Sequence, residues 1–224
     1  MKKIILFVLL LMAAWCFRGC GEKEENIDQV YNHVRIDLGA SAASGVIYEC
    51  TDEELVIVTA GHVLKSYSTV ADEHAGVKVW FGEFTVTVSE FFVSEYSETA
   101  FISVPLSVLP ETVRGKIRES ETDRESFDRL KEDDAVVMKG FAADGELLEI
   151  PGTLIYSWIY AEDFSQYMML VDGESFPGMS GGGVFDEDGN FLGILCGVND
   201  AGESAAVPLS IILAEYMQVY PDHM

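Results

Sequence analysis

The sequence predicts an all-β chain whose strands form a sandwich or a barrel. Three observations carry this reading. Short runs rich in β-branched and aromatic residues recur from Val34 onward. Clusters of turn residues separate them. No helical pattern alternates with the strands, which argues against a parallel α/β sheet.

The elements follow in order. Ser44-Gly45-Val46-Ile47-Tyr48 runs to a polar turn, Thr51 to Glu54, and Leu55-Val56-Ile57-Val58-Thr59 returns. Val77 to Trp80 and Phe84 to Val88 continue, the second with period-two alternation. Phe101 to Val104 closes the first half, and Pro105 ends it. Residues 107–134 hold nine acidic and six basic residues, which reads as a solvated connector with a short helix near Ser126 to Lys131. Strands resume at Ala135 to Met138, Thr153 to Tyr156, Met168 to Val171 and Gly183 to Phe185. Asp186-Glu187-Asp188-Gly189-Asn190 has the residues of a hairpin turn before Phe191 to Leu195. At the end Leu209, Leu213, Tyr216 and Tyr220 share a helical face, with Ser210 as its cap. The expected organisation is a leader over 1–20, a first half over 21–106, the connector over 107–134 and a second half over 135–224.

Composition excludes some partners. Apolar residues are 49 % of the chain, enough for a packed body rather than disorder. Fourteen basic against 38 acidic residues give a net charge of −24, which would repel nucleic acid and anionic lipid. Contact with a membrane is therefore expected only through the N-terminal segment. There Lys2 and Lys3 precede an apolar run from Ile4 to Phe17. As a helix it would reach about 21 Å, short of a hydrocarbon core of about 30 Å. An export signal fits, with an uncleaved anchor as the alternative. Cys20 before a polar stretch, or Cys16, would suit lipidation. An extracytoplasmic protein, secreted or surface-attached, is the expectation. Cys50 and Cys196 remain in the body, and two buried free thiols are expected. The four histidines, His33, His62, His74 and His223, show no metal-ligand spacing, and neither metal nor cofactor is expected.

Three segments carry chemistry. In Thr59-Ala60-Gly61-His62-Val63 a strand runs into a histidine, and a rigid strand end can fix the ring of a base. Beside a strand a histidine is more often structural. In Phe176-Pro177-Gly178-Met179-Ser180-Gly181-Gly182-Gly183 glycines surround a serine. Such a turn can aim successive N–H groups at a developing oxyanion. A flexible Gly-Ser loop is the bland reading, and the apolar residues bracketing the stretch fit it less well. Glu98 begins Glu98-Thr99-Ala100-Phe101-Ile102, where a carboxylate near an imidazole could hold its tautomer.

Taken together, these segments resemble the trypsin-like peptidase family, in its bacterial form without a PDZ domain. The family carries a Thr-Ala-Ala-His-like segment, then Asp-x-Ala-apolar-apolar, then Gly-Asn/Asp-Ser-Gly-Gly. Here His62, Glu98 36 residues later and Ser180 82 residues further follow that order. Ser44-Gly45, Asp172, Gly193-Ile194 and Ala206-Val207-Pro208 extend the similarity over roughly residues 30 to 215. The resemblance implies a double six-stranded β-barrel with a short C-terminal helix and a site between the barrels. It implies a serine endopeptidase with a His62–Glu98–Ser180 triad and an oxyanion hole from the Gly178 and Ser180 amides. Peptide or protein substrates are implied. Cys196 would lie on the substrate-pairing strand, and Cys50 in the other barrel, so that no bridge joins them. Glu174, six residues before the serine, would sit at the base of a pocket suited to Lys or Arg, or else point to solvent. Two departures stand out: Glu98 replaces aspartate, and Met179 replaces a polar residue. They support the alternative of a weakly active or inactive surface module that binds or scaffolds.

Overall fold

The computed structural model describes residues 30–39, 41–70 and 76–223, with the backbone alone for 66–70. The expectations for residues 1–20, including Cys16 and Cys20, fall outside the described residues, as does His74.

Seven antiparallel strands build the first half: β1 (His33–Asp37), β2 (Ala42–Cys50), β3 (Glu54–Ala60), β4 (Val77–Phe81), β5 (Phe84–Val88), β6 (Phe91–Val93) and β7 (Thr99–Pro105). Their order is β5-β4-β1-β2-β3-β7-β6. Central β3 is buried on both faces, which explains why Leu55 to Val58 is an unbroken apolar run. Full burial of Ile57 or Phe101 contributes about 1.5–3 kcal/mol each.

The second half is a closed six-stranded barrel: β8 (Ala135–Phe141), β9 (Leu147–Ala161), β10 (Gln166–Asp172), β11 (Gly183–Asp186), β12 (Phe191–Val198) and β13 (Ser204–Pro208). Strand β9 is longer than the expected Thr153 to Tyr156 and runs through Pro151 and Gly152. Pro151 is tolerated because β9 there pairs with β8 alone, its pairing with β10 starting at Thr153.

The helices depart most from expectation. His62 does not end a strand; it sits in the first turn of α1 (Gly61–Val70). The connector is docked, not merely solvated. Its short helices α2 (Glu111–Arg114) and α3 (Arg124–Asp128) expose their charges but bury Val113 and Phe127, and Leu109 and Ile117 join the core. The final helix α4 (Leu209–Val219) starts after Pro208 with no side-chain cap. Ser210 therefore is no cap; it lies inside the helix with its hydroxyl buried and unpartnered. The buried face is Leu209, Ile212, Glu215 and Tyr216. It crosses to the first half, where Tyr216 and Tyr220 pack 5.7 and 5.9 Å from Phe101. Of the two thiols only Cys196 is buried; Cys50 is exposed because it ends β2, and both are free.

Candidate active site

The register of two strands brings the first pair together. Ala60 at the end of β3 pairs with Thr99 at the start of β7. Residues just beyond these ends must then face each other. Gly61 N–H donates to the Glu98 carbonyl at 3.0 Å. Glu98 Oε2 accepts from the His62 backbone N–H at 2.8 Å and lies 3.1 Å from His62 Nδ1. Oε1 lies 3.1 Å from Lys65 Nζ. The His62 hydrogen bond, helped by Lys65 and opposed by partial burial, holds the Glu98 carboxyl at about 2 against an ordinary 4.5. From the second half, Gln166 Oε1 accepts the Glu98 N–H at 3.0 Å. The longer side chain is thus fixed at both its backbone and its carboxylate.

Ser180 lies in the turn between β10 and β11. Gly178 adopts φ +100°, and a Cβ there would come within 2.8 Å of backbone atoms of Phe141, Ala142 and Ala143. Gly181, at φ +83°, packs so tightly that a Cβ would fall 2.1 Å from Thr59 Oγ1 and 3.1 Å from Ala60 N. That close approach presses the serine turn against the strand end that leads to His62. Ser44 ties the turn down from β2. Its N–H donates to the Ser180 carbonyl at 2.8 Å, and its hydroxyl donates to the Gly178 carbonyl at 2.9 Å. Among the described residues, neither the Gly178 nor the Ser180 N–H donates to a protein acceptor. Two such amides in one turn can stabilise an oxyanion.

Cys196 links the two pairs. Ser180 Oγ donates to its carbonyl at 3.4 Å, and its thiol donates to the Glu98 carbonyl at 3.8 Å. Burial pushes that thiol well above the usual range, so it stays protonated and inert. Ser180 Oγ makes no hydrogen bond to His62 in this arrangement. The bond to Cys196 is long and weak, and rotation about χ1 exchanges it easily. Such an arrangement can perform general-base-assisted nucleophilic attack.

Other expected site residues fare differently. Glu174 is exposed in the loop leading to Ser180, so the reading with a buried pocket carboxylate is corrected in favour of the solvent-facing one. Met179 is fully buried with its Sδ 3.4 Å from Phe176 N, so it fills the second barrel rather than the cleft. A cavity of about 650 Å³ lies elsewhere, lined by Tyr48, Glu119, Asn190, Tyr216 and His223. Sequence reading missed Lys65 and Gln166. The i+3 spacing of Lys65 from His62 was a signal only once α1 was known.

The family model for the trypsin-like peptidase domain matches residues 43–194. Among solved structures, the Rv3671c protease of M. tuberculosis in its active form is 16 % identical with a TM-score of 0.64, the match covering 84 % of this chain and 80 % of that one. Its inactive form gives 15 % and 0.63, covering 84 % and 88 %. The HtrA-type protease AlgW with tripeptide gives 18 % and 0.66, covering 88 % of this chain and 62 % of that one. None of the curated proteins matches this sequence.

Proposed function

Because the chain belongs to the trypsin-like peptidase family, we propose that it hydrolyses peptide bonds through an acyl-enzyme formed on Ser180. Ser180 Oγ attacks the scissile carbonyl while His62 takes its proton. Glu98 keeps the His62 Nδ1–H oriented and offsets the imidazolium charge. The tetrahedral oxyanion rests on the Gly178 and Ser180 N–H groups. His62 then gives the proton to the leaving amine, and the acyl-enzyme forms. Water, deprotonated by His62, attacks the ester carbonyl; the second tetrahedral species collapses and the proton returns to Ser180. The observation that carries this reading is the double hold of Glu98 Oε2 on the His62 backbone and ring.

Cationic peptides are the proposed substrate class. Residues 135–224 carry one basic residue, Lys139, against 14 acidic ones, a field that speeds encounter with positive chains. Glu174 adds an exposed carboxylate before the nucleophile. Export or surface attachment through residues 1–20 is proposed with it. A second reading, a binding module that no longer cuts, draws on the bond from Ser180 Oγ to Cys196 instead of His62.

A fluorophosphonate probe on the purified folded protein separates the two. Labelling of the wild type that disappears in Ser180→Ala is expected, together with cleavage of Lys- or Arg-bearing peptides that weakens with added salt. An unlabelled wild type supports the binding module. Labelling that persists in Ser180→Ala removes Ser180 as nucleophile.

A further inference from the structure

A glutamate has one more rotatable bond than an aspartate, so holding its carboxylate against a histidine costs more side-chain entropy. Something must oppose that freedom. On α1, Lys65 follows His62 by three residues and so shares its face. Its Nζ is 3.1 Å from Glu98 Oε1, while Oε2 is occupied by His62. Both carboxylate oxygens are therefore held by groups from one helical turn. Charge-assisted hydrogen bonds of this kind are short and directional.

We propose that Lys65 is a positioning residue for the His62–Glu98 pair, locking the Glu98 rotamer through its bond to Oε1. This rests on the peptidase reading above. Among the described residues, the side chains that bond the Glu98 carboxylate and backbone are His62 and Lys65 from α1, the Cys196 thiol from β12 and the neutral Gln166 amide from β10. The Lys65 side chain is 46 % exposed, so solvent screens its pull on the carboxylate and keeps it modest. The depressed Glu98 carboxyl, with Lys65 among its causes, agrees with this placement.

The test compares Lys65→Met, which loses hydrogen bond and charge, with Lys65→Arg, which keeps both. On a Lys-bearing peptide Lys65→Met should lower kcat about tenfold with KM little changed. Lys65→Arg should hold kcat near wild type. Unchanged kcat in Lys65→Met, or an equal loss in Lys65→Arg, overturns the proposal. A second measurement needs no turnover. In Ser180→Ala protein, the ¹³C carboxylate titration of Glu98 should rise from about 2 by about one unit when Lys65→Met is added. An unmoved carboxylate overturns the Lys65 proposal whether or not the wild type cuts. Absence of cutting by the wild type with a moved carboxylate overturns the peptidase reading alone.

Discussion

Gly178 carries two demands at once. Its φ of +100° disfavours any side chain, and the neighbouring Phe141 to Ala143 backbone leaves no room for a Cβ. Alanine there must move the Pro177–Gly178 peptide and its free N–H. Gly178→Ala should therefore lower the acylation rate about 10²-fold, as loss of an oxyanion donor does. Stopped-flow acylation checks the rate, and a thermal melt shows whether the fold persists. The sequence made this turn legible because apolar residues bracket the glycines and serine closely, which fits a flexible Gly-Ser loop less well. Glu98 was legible only as an acid at the right place in the order. Whether it could reach His62 depended on the Ala60↔Thr99 register, which no local pattern encodes.

At the scale of elements, α4 does more than cap the barrel. Its Glu215 is only 8 % exposed, yet it accepts from Ser94 Oγ at 2.7 Å and Ser97 Oγ at 3.1 Å. Ser94 Oγ in turn accepts from the N–H groups of Tyr96 and Ser97. The helix thereby pins the loop that delivers Glu98 to β7. Glu215→Ala leaves these hydroxyls buried without an acceptor, and should destabilise the fold by about 2–3 kcal/mol. Urea denaturation measures the loss. Glu215→Gln keeps an acceptor oxygen and should lose clearly less; an equal loss would refute the hydrogen-bond account. Sequence periodicity found the helix but not this residue, since a buried acid does not register as core. Likewise β10 was read from Met168 to Val171, and Gln166, which grips Glu98, stood outside that apolar run.

The whole molecule meets acid through its interior. His33 in β1 is buried with Nδ1 on Asn32 Oδ1 at 2.9 Å and Nε2 unpartnered. Burial, aided by the Lys139 charge, lowers its pKa from 6.5 to about 3. The unfolded chain then takes up a proton below about 6.5 that the folded chain refuses until about 3. Stability must fall as pH drops through that window, by up to about 1.4 kcal/mol per unit from this group. Glu98 works in a lower window, its stabilisation present above about 4.5 and lost as pH falls towards 2. Denaturation midpoints measured from pH 7 to pH 3 should decline, and His33→Leu should flatten the part between 6.5 and about 4.5. An unchanged slope in the variant would show that His33 titrates normally.

The sequence by itself determined the class of the fold, the order of histidine, acid and serine, and the glycine turn around Ser180. These rest on local signals: strand composition, turn chemistry and spacing along the chain. Only the tertiary structure decided how a glutamate is held in place. Lys65 came with a helix that weak local propensity had hidden. Gln166 and Glu215 reach their targets across 68 and 121 residues of chain. Ser44, Gln166 and Cys196 tie the two halves through hydrogen bonds to residues distant in sequence. Such bonds leave no periodic trace in the residues that make them. They depend on where the strands end and how the halves meet, which is fixed by packing of the whole chain.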